Sequence, residues 1–117
     1  MSTQEMHMEK YGMFKKDAEN ETVSNPTRIE AYFSASFQLI DACADKKDIH
    51  INKHQLVRSV LEKSQMFGED TEVVWRAFQE LENQIRPGQI YGGAINGEKL
   101  KRAKALFEKI ESICIRV

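Results

Sequence analysis

Little in this chain interrupts a helix. Pro26 and Pro87 are the only prolines, and four of the six glycines fall between Gly88 and Gly97, so long stretches are left without a breaker. Long β-branched runs are missing, which removes the usual material of a sheet. No apolar stretch approaches the roughly 20 residues needed to cross a bilayer, so no membrane span is expected. The first twenty residues alternate charged and apolar side chains without an apolar signal core, and the chain reads as a cytoplasmic protein. Its two cysteines, Cys43 and Cys114, stand far apart and among apolar neighbours. They are expected to be reduced core residues, with no CxxC pair for zinc.

What is present is the composition of one globular domain. A chain of 117 residues, 41% apolar and 30% charged, has length enough for a single core, and residues 1–117 are taken as one domain. The net charge of -1 gives no bulk attraction to nucleic acid, but charge is unevenly placed. From Arg86 to Lys104 the cations Arg86, Lys99, Lys101, Arg102 and Lys104 face one acid, Glu98. The first 25 residues are mildly acidic.

Hydrophobic spacing predicts an all-α fold: an up-and-down bundle of four main helices with a weaker N-terminal helix. The segment 1–24 is polar and expected to be partly disordered, with a weak helix from about Glu5 to Asn20. Met6, Met8 and Met13 are expected to fill gaps in the core. Ser24-Asn25-Pro26-Thr27 signals a helix start, with Thr27 and Glu30 at capping-box spacing. That helix runs to about Asp45 with two adjacent apolar stripes, through Ile29, Phe33, Phe37 and Ile40 and through Tyr32, Ala35, Leu39 and Cys43. It is expected to be central and the most buried. Asn52 and Gln55 repeat the capping spacing before a helix from about Lys53 to Met66, with Leu56, Val57, Val60 and Leu61 inward and Gly68 as its stop. Asp70 or Thr71 caps the next, which carries Val74, Phe78, Leu81 and Ile85 as far as Arg86. Asn96 caps the last, from about Gly97 to Ile115, on Leu100, Ala103, Phe107, Ile110 and Cys114.

Catalytic signatures are nearly absent. Gly92 to Lys99 resembles a phosphate loop only loosely, because Glu98 stands where a lysine must follow the second glycine. His50 and His54 are four apart, but Asn52 as a cap leaves His50 outside the helix, so neither a metal nor another cofactor is expected. Trp75 reads as a packing residue or part of a dimer surface. The basic segment stands out, because Lys99, Lys101 and Arg102 lie in the first turn of a helix, where cations oppose the positive end of its dipole. Such placement leaves room for an anionic partner such as RNA.

The order of features from Arg28 to Ile115 resembles the HEPN superfamily of small prokaryotic helical bundles, often encoded with minimal nucleotidyltransferases. Arg28 to Phe37 looks like that family's central aromatic and small-residue helix, and His54 falls where a histidine often opens the following helix. The family's ribonuclease motif is an arginine followed after four to six residues by histidine, paired across a dimer. Here Arg86 keeps its place and Tyr91 stands where the histidine would be, with Pro87 directly after the arginine. A phenol with an ordinary pKa near 10 exchanges protons poorly at neutral pH.

The resemblance therefore implies a homodimeric binding or regulatory module for RNA, a nucleotide or a nucleotidyltransferase partner, with Arg86, Tyr91, Lys99, Lys101 and Arg102 as ligand-binding residues. Two other readings are a toxin-like, metal-independent endoribonuclease, using Arg86 with Tyr91 or His54 as catalytic groups, and a structural assembly subunit.

Overall fold

Between Asn25 and Asp45 apolar side chains recur on two adjacent faces, and a helix built from that pattern must be covered from more than one side. The computed structural model, which describes residues 3–85 and 97–117, has this helix as its centre. Among the described residues there are five α-helices: α1 (Thr3–Glu19), α2 (Asn25–Asp45), α3 (Val57–Ser64), α4 (Thr71–Glu80) and α5 (Gly97–Ile115). Short 3-10 turns at His54–Leu56 and Gly68–Asp70 lead into α3 and α4, and α4 widens into a π-helical turn at Leu81–Ile85. The described residues contain no strand.

Twelve of the 21 residues of α2 are buried, which is possible because α1 lies along one side of it and α5 along another. Phe33 is buried and Phe37 half-buried, as the two stripes predict. α4 packs on α5 and on α3, closing the core through Phe78 and Leu81. Aromatic rings tie these elements together: Phe33 stacks on Phe78 at 5.0 Å, and Tyr32 meets Phe107 of α5 at 5.2 Å. Ser36, buried in α2, donates to the carbonyl of Tyr32, one turn back, and so brings no unsatisfied hydroxyl into the core.

Several expectations about helix ends are corrected. α2 starts at Asn25 with Pro26 in its first turn, two residues before the predicted capping box, and the Ser24 hydroxyl bonds the Thr27 hydroxyl at 3.0 Å rather than a backbone N–H. The proposed cap at Asn52 does not form. Lys53 is extended, His54 opens a 3-10 turn, and Leu56, expected inward, is 43% exposed. The N-terminal stretch forms a helix of 17 residues, but Met6, Met8 and Met13 point outward at 45%, 38% and 62% exposure instead of filling the core. Polar side chains hold α1 instead. Lys15 donates to Glu111 at 2.8 Å, Tyr11 donates to the same carboxylate, and Arg28 donates to the Ala18 carbonyl at 2.7 Å. Burial and then the Glu111 carboxylate push the Tyr11 hydroxyl up to about 12, so it stays a donor throughout the neutral range.

α3 ends at Gln65, before the glycine expected to stop it. Gln65 adopts the left-handed conformation, with φ 51°, while its N–H still bonds the Leu61 carbonyl. A side chain costs roughly 1–2 kcal/mol in that region, and glycine does not pay this steric penalty. Gln65→Gly is therefore expected to stabilise the protein by about 0.5–1 kcal/mol once the extra freedom of the unfolded chain is counted. Urea denaturation followed by circular dichroism checks this, and a loss of stability would show that the Gln65 side-chain bond to the Glu62 carbonyl matters more than backbone strain.

Candidate functional site

Two of the residues singled out by sequence, Arg102 and His54, are held by acids near the C-terminal end of α4, each by a different one. Glu80 is the last residue of α4 and Glu82 lies in the turn. Each holds one of the predicted groups. Arg102, in α5, grips Glu80 side-on, with Nε and Nη2 both donating and the Nη2–Oε1 distance at 2.7 Å. His54 Nδ1 bonds Glu82. The chain continues from Ile85 directly to Arg86, which with Tyr91 and Asn96 lies outside the described residues.

Arg102, expected from the sequence to bind a ligand, is paired with a carboxylate of the same chain. The guanidinium hydrogen bond draws the Glu80 carboxyl below its usual range and raises the guanidinium in turn, so both stay charged. Five donors fan out from a guanidinium, and the side-on grip engages Nε and Nη2, leaving the Nη1 edge directed elsewhere. Arg102 is 51% exposed, which allows that edge to meet an anion from solvent. Lys101 is exposed beside it and Lys99 half-buried.

His54 is the more constrained group. Its ring meets Phe33 edge-on at 5.3 Å and Phe37 at 6.2 Å, and its side chain keeps 34% exposure. When Nδ1–H donates to Glu82, the tautomer that results carries its lone pair on Nε2. A carboxylate that fixes a histidine's ring and tautomer is the arrangement general-base chemistry uses. His54 is legible in the sequence but Glu82, 28 residues away, is not; helical periodicity reports which face is buried and nothing about such a pair.

A second polar cluster, unnoticed in the sequence, lies where α1 crosses the C-terminal half of α2. His7 Nδ1 bonds Gln38 Oε1 at 2.6 Å, and its Nε2 stands 3.6 Å from Asp41 and 3.4 Å from Asp45. His50 approaches the other oxygen of Asp45 at 3.3 Å. Both aspartate side chains are only 7% exposed, and Oδ2 of Asp45 is buried without a hydrogen-bond partner. Burial raises the Asp41 carboxyl, an effect that the nearby His7 opposes. His50 and His54 thus go to different carboxylates, Asp45 and Glu82, and among the described residues no three ligand-type side chains are placed to hold a metal ion. Also among the described residues, no helix is long and apolar enough to cross a membrane.

Comparison with protein-family models, with curated proteins and with solved structures returned no match.

Proposed function

We propose that this chain is a HEPN-like, self-associating helical module that binds RNA through its phosphates and does not cut it. The observation that carries this reading is Arg102, held side-on by Glu80 at the end of α4 with its side chain 51% exposed, in the same first turns of α5 as Lys99 and Lys101. Two acids spend their charge on positioning rather than repelling a phosphate, and the cations Lys99 and Lys101 begin the adjoining helix. Cations placed in this way meet a negatively charged backbone without reading sequence.

The endoribonuclease reading is favoured by one feature, the His54–Glu82 pair, because it supplies an imidazole that Tyr91 does not. One experiment separates the two. Wild type, Arg102→Ala, His54→Ala and Tyr91→His are compared on a mixed single-stranded RNA at two salt concentrations. Binding by the wild type should weaken as salt rises, and Arg102→Ala should reduce the slope of log affinity against log salt by about 0.7, the share of one phosphate contact on a single strand. No cleavage is expected from the wild type. Efficient cutting that disappears in His54→Ala would replace the binding reading with the enzymatic one. Absence of RNA binding by all four proteins would leave a protein partner or an assembly role.

A further inference from the structure

One surface of α3 and α4 has features that the phosphate contacts do not use. Trp75 belongs to the apolar core and is only 7% exposed, and two arginines lie over its ring. The Arg58 guanidinium lies over its ring at 4.2 Å from the centroid, and that of Arg76 at 5.1 Å. Each arginine is steadied by a carboxylate one turn away on its own helix, Arg58 by Glu62 at 2.8 Å and Arg76 by Glu72 at 2.6 Å. Exposed pairs of this type add little to stability, but they do fix the plane of a guanidinium. Arg58 is therefore a flat cation set over an indole, with its side chain 49% exposed to solvent.

Beside this stack is a cleft of about 420 Å³. Arg58, Trp75 and Arg76 form one wall, and the amides of Gln79, Asn83 and Gln84 supply paired donors and acceptors. Glu80 belongs to the same cleft and is also the partner of Arg102, so one carboxylate links the cleft to the proposed phosphate contact. A second cleft, of about 480 Å³, shares the two arginines and Trp75, which makes them a ridge between two hollows.

From this arrangement we infer that Arg58, backed by Trp75, is a stacking platform for one unpaired nucleobase of single-stranded RNA. The base lies on the outer face of the Arg58 guanidinium, its polar edge meets the amides of Gln79, Asn83 and Gln84, and Arg76 faces the adjoining phosphate. Guanidinium planes stack on unpaired bases in RNA recognition, whereas a base inside a duplex offers no open face. The inference rests on the RNA reading above and adds to it a preference for unpaired, base-bearing strands.

The test compares a short oligoadenylate with an abasic strand of the same length, and AMP with ribose 5-phosphate, on wild type, Arg58→Lys and Arg102→Ala. Trp75 is the only tryptophan, so a change in its emission locates the event at this ridge. The wild type is expected to bind the oligoadenylate about tenfold more tightly than the abasic strand, the effect of one stacked base. Arg58→Lys keeps the charge but loses the plane, and should erase that difference; Arg102→Ala should weaken both strands and preserve their ratio. Equal binding of the two strands by the wild type, or an unchanged ratio in Arg58→Lys, overturns the stacking platform and leaves the phosphate reading intact. If neither strand binds but AMP, unlike ribose 5-phosphate, shifts Trp75 emission, the RNA reading fails and the platform is overturned as an RNA site, a site for the base of a free nucleotide taking its place. If AMP has no effect either, both fall.

Discussion

Phe78→Ala is expected to lower the free energy of unfolding by about 3–5 kcal/mol, the range for emptying a buried phenyl site. Phe78 is 1% exposed and stacks on Phe33 across the boundary between α4 and α2, with Phe37 at 6.1 Å. Its loss removes apolar contact and also leaves a space that rigid helices on both sides cannot fill. A domain of ordinary stability has roughly 5–15 kcal/mol in all, so the variant should unfold at markedly lower urea concentration and temperature. The same change reaches the candidate site, because Phe33, which supports the His54 ring edge-on, rests on Phe78. Urea denaturation by circular dichroism gives the first effect, and histidine chemical shifts in the surviving folded fraction give the second. A loss under about 1 kcal/mol would mean that α4 does not pack on α2 through these rings.

His7→Ala should be the next most damaging substitution, costing about 1–3 kcal/mol, the range for leaving buried polar groups without a partner. His7 bonds Gln38 and faces Asp41 and Asp45, two carboxylates one turn apart in α2 and nearly closed to solvent. Without the imidazole, neighbouring like charges are left with His50, which is 69% exposed, and the Ile51 backbone N–H. Asp41→Asn should restore part of the loss, since an amide oxygen can still accept from Ile51 and carries no charge. The pH dependence has a definite sign. Burial raises the Asp41 carboxyl in the folded protein, so its favourable contribution is complete below the unfolded carboxylate pKa and is lost as pH rises through the higher folded value. In the wild-type background, the advantage of Asp41→Asn should be largest at neutral pH and shrink on acidification. Thermal melts of the single and double variants across pH 3–8 test both statements; additive losses with no rescue would show that His7 and Asp41 act independently.

The elements that sequence made legible are those whose burial is two-sided. α2 announced itself because apolar residues occupy two adjacent stripes, and α5 because Ala103, Phe107, Ile110 and Cys114 keep helical spacing; all four are buried. α1 was harder to read for a physical reason. Its docking relies on Lys15 and Tyr11 meeting Glu111 and on His7 meeting Gln38, contacts between residues 31 to 100 positions apart that leave no periodic trace. The methionines misled because hydrophobicity alone does not say which way a helix faces when polar groups anchor it. At the candidate site the basic residues stood out by charge, but their placement depends on Glu80 and Glu82, and the π turn that carries Glu82 has no signature among Leu81, Glu82, Asn83, Gln84 and Ile85. The Arg58 and Arg76 cover on Trp75 was hidden likewise, since Arg58 comes from a different helix.

The two thiols bear on how the proposed self-association can be observed. Cys43 and Cys114 are each 2% exposed, and the Cys43 thiol donates to the Cys114 carbonyl. Contact with Cys43 and burial push the Cys114 thiol upward and the same contact draws the Cys43 thiol down, so it is closure of both side chains to solvent that keeps alkylating reagents out. The native protein should therefore be almost silent to maleimide while folded. A cysteine placed at Met13, which is 62% exposed, would be the single reactive handle on each copy. One spin label or fluorophore per chain then becomes a ruler between protomers, with no native thiol to be removed first.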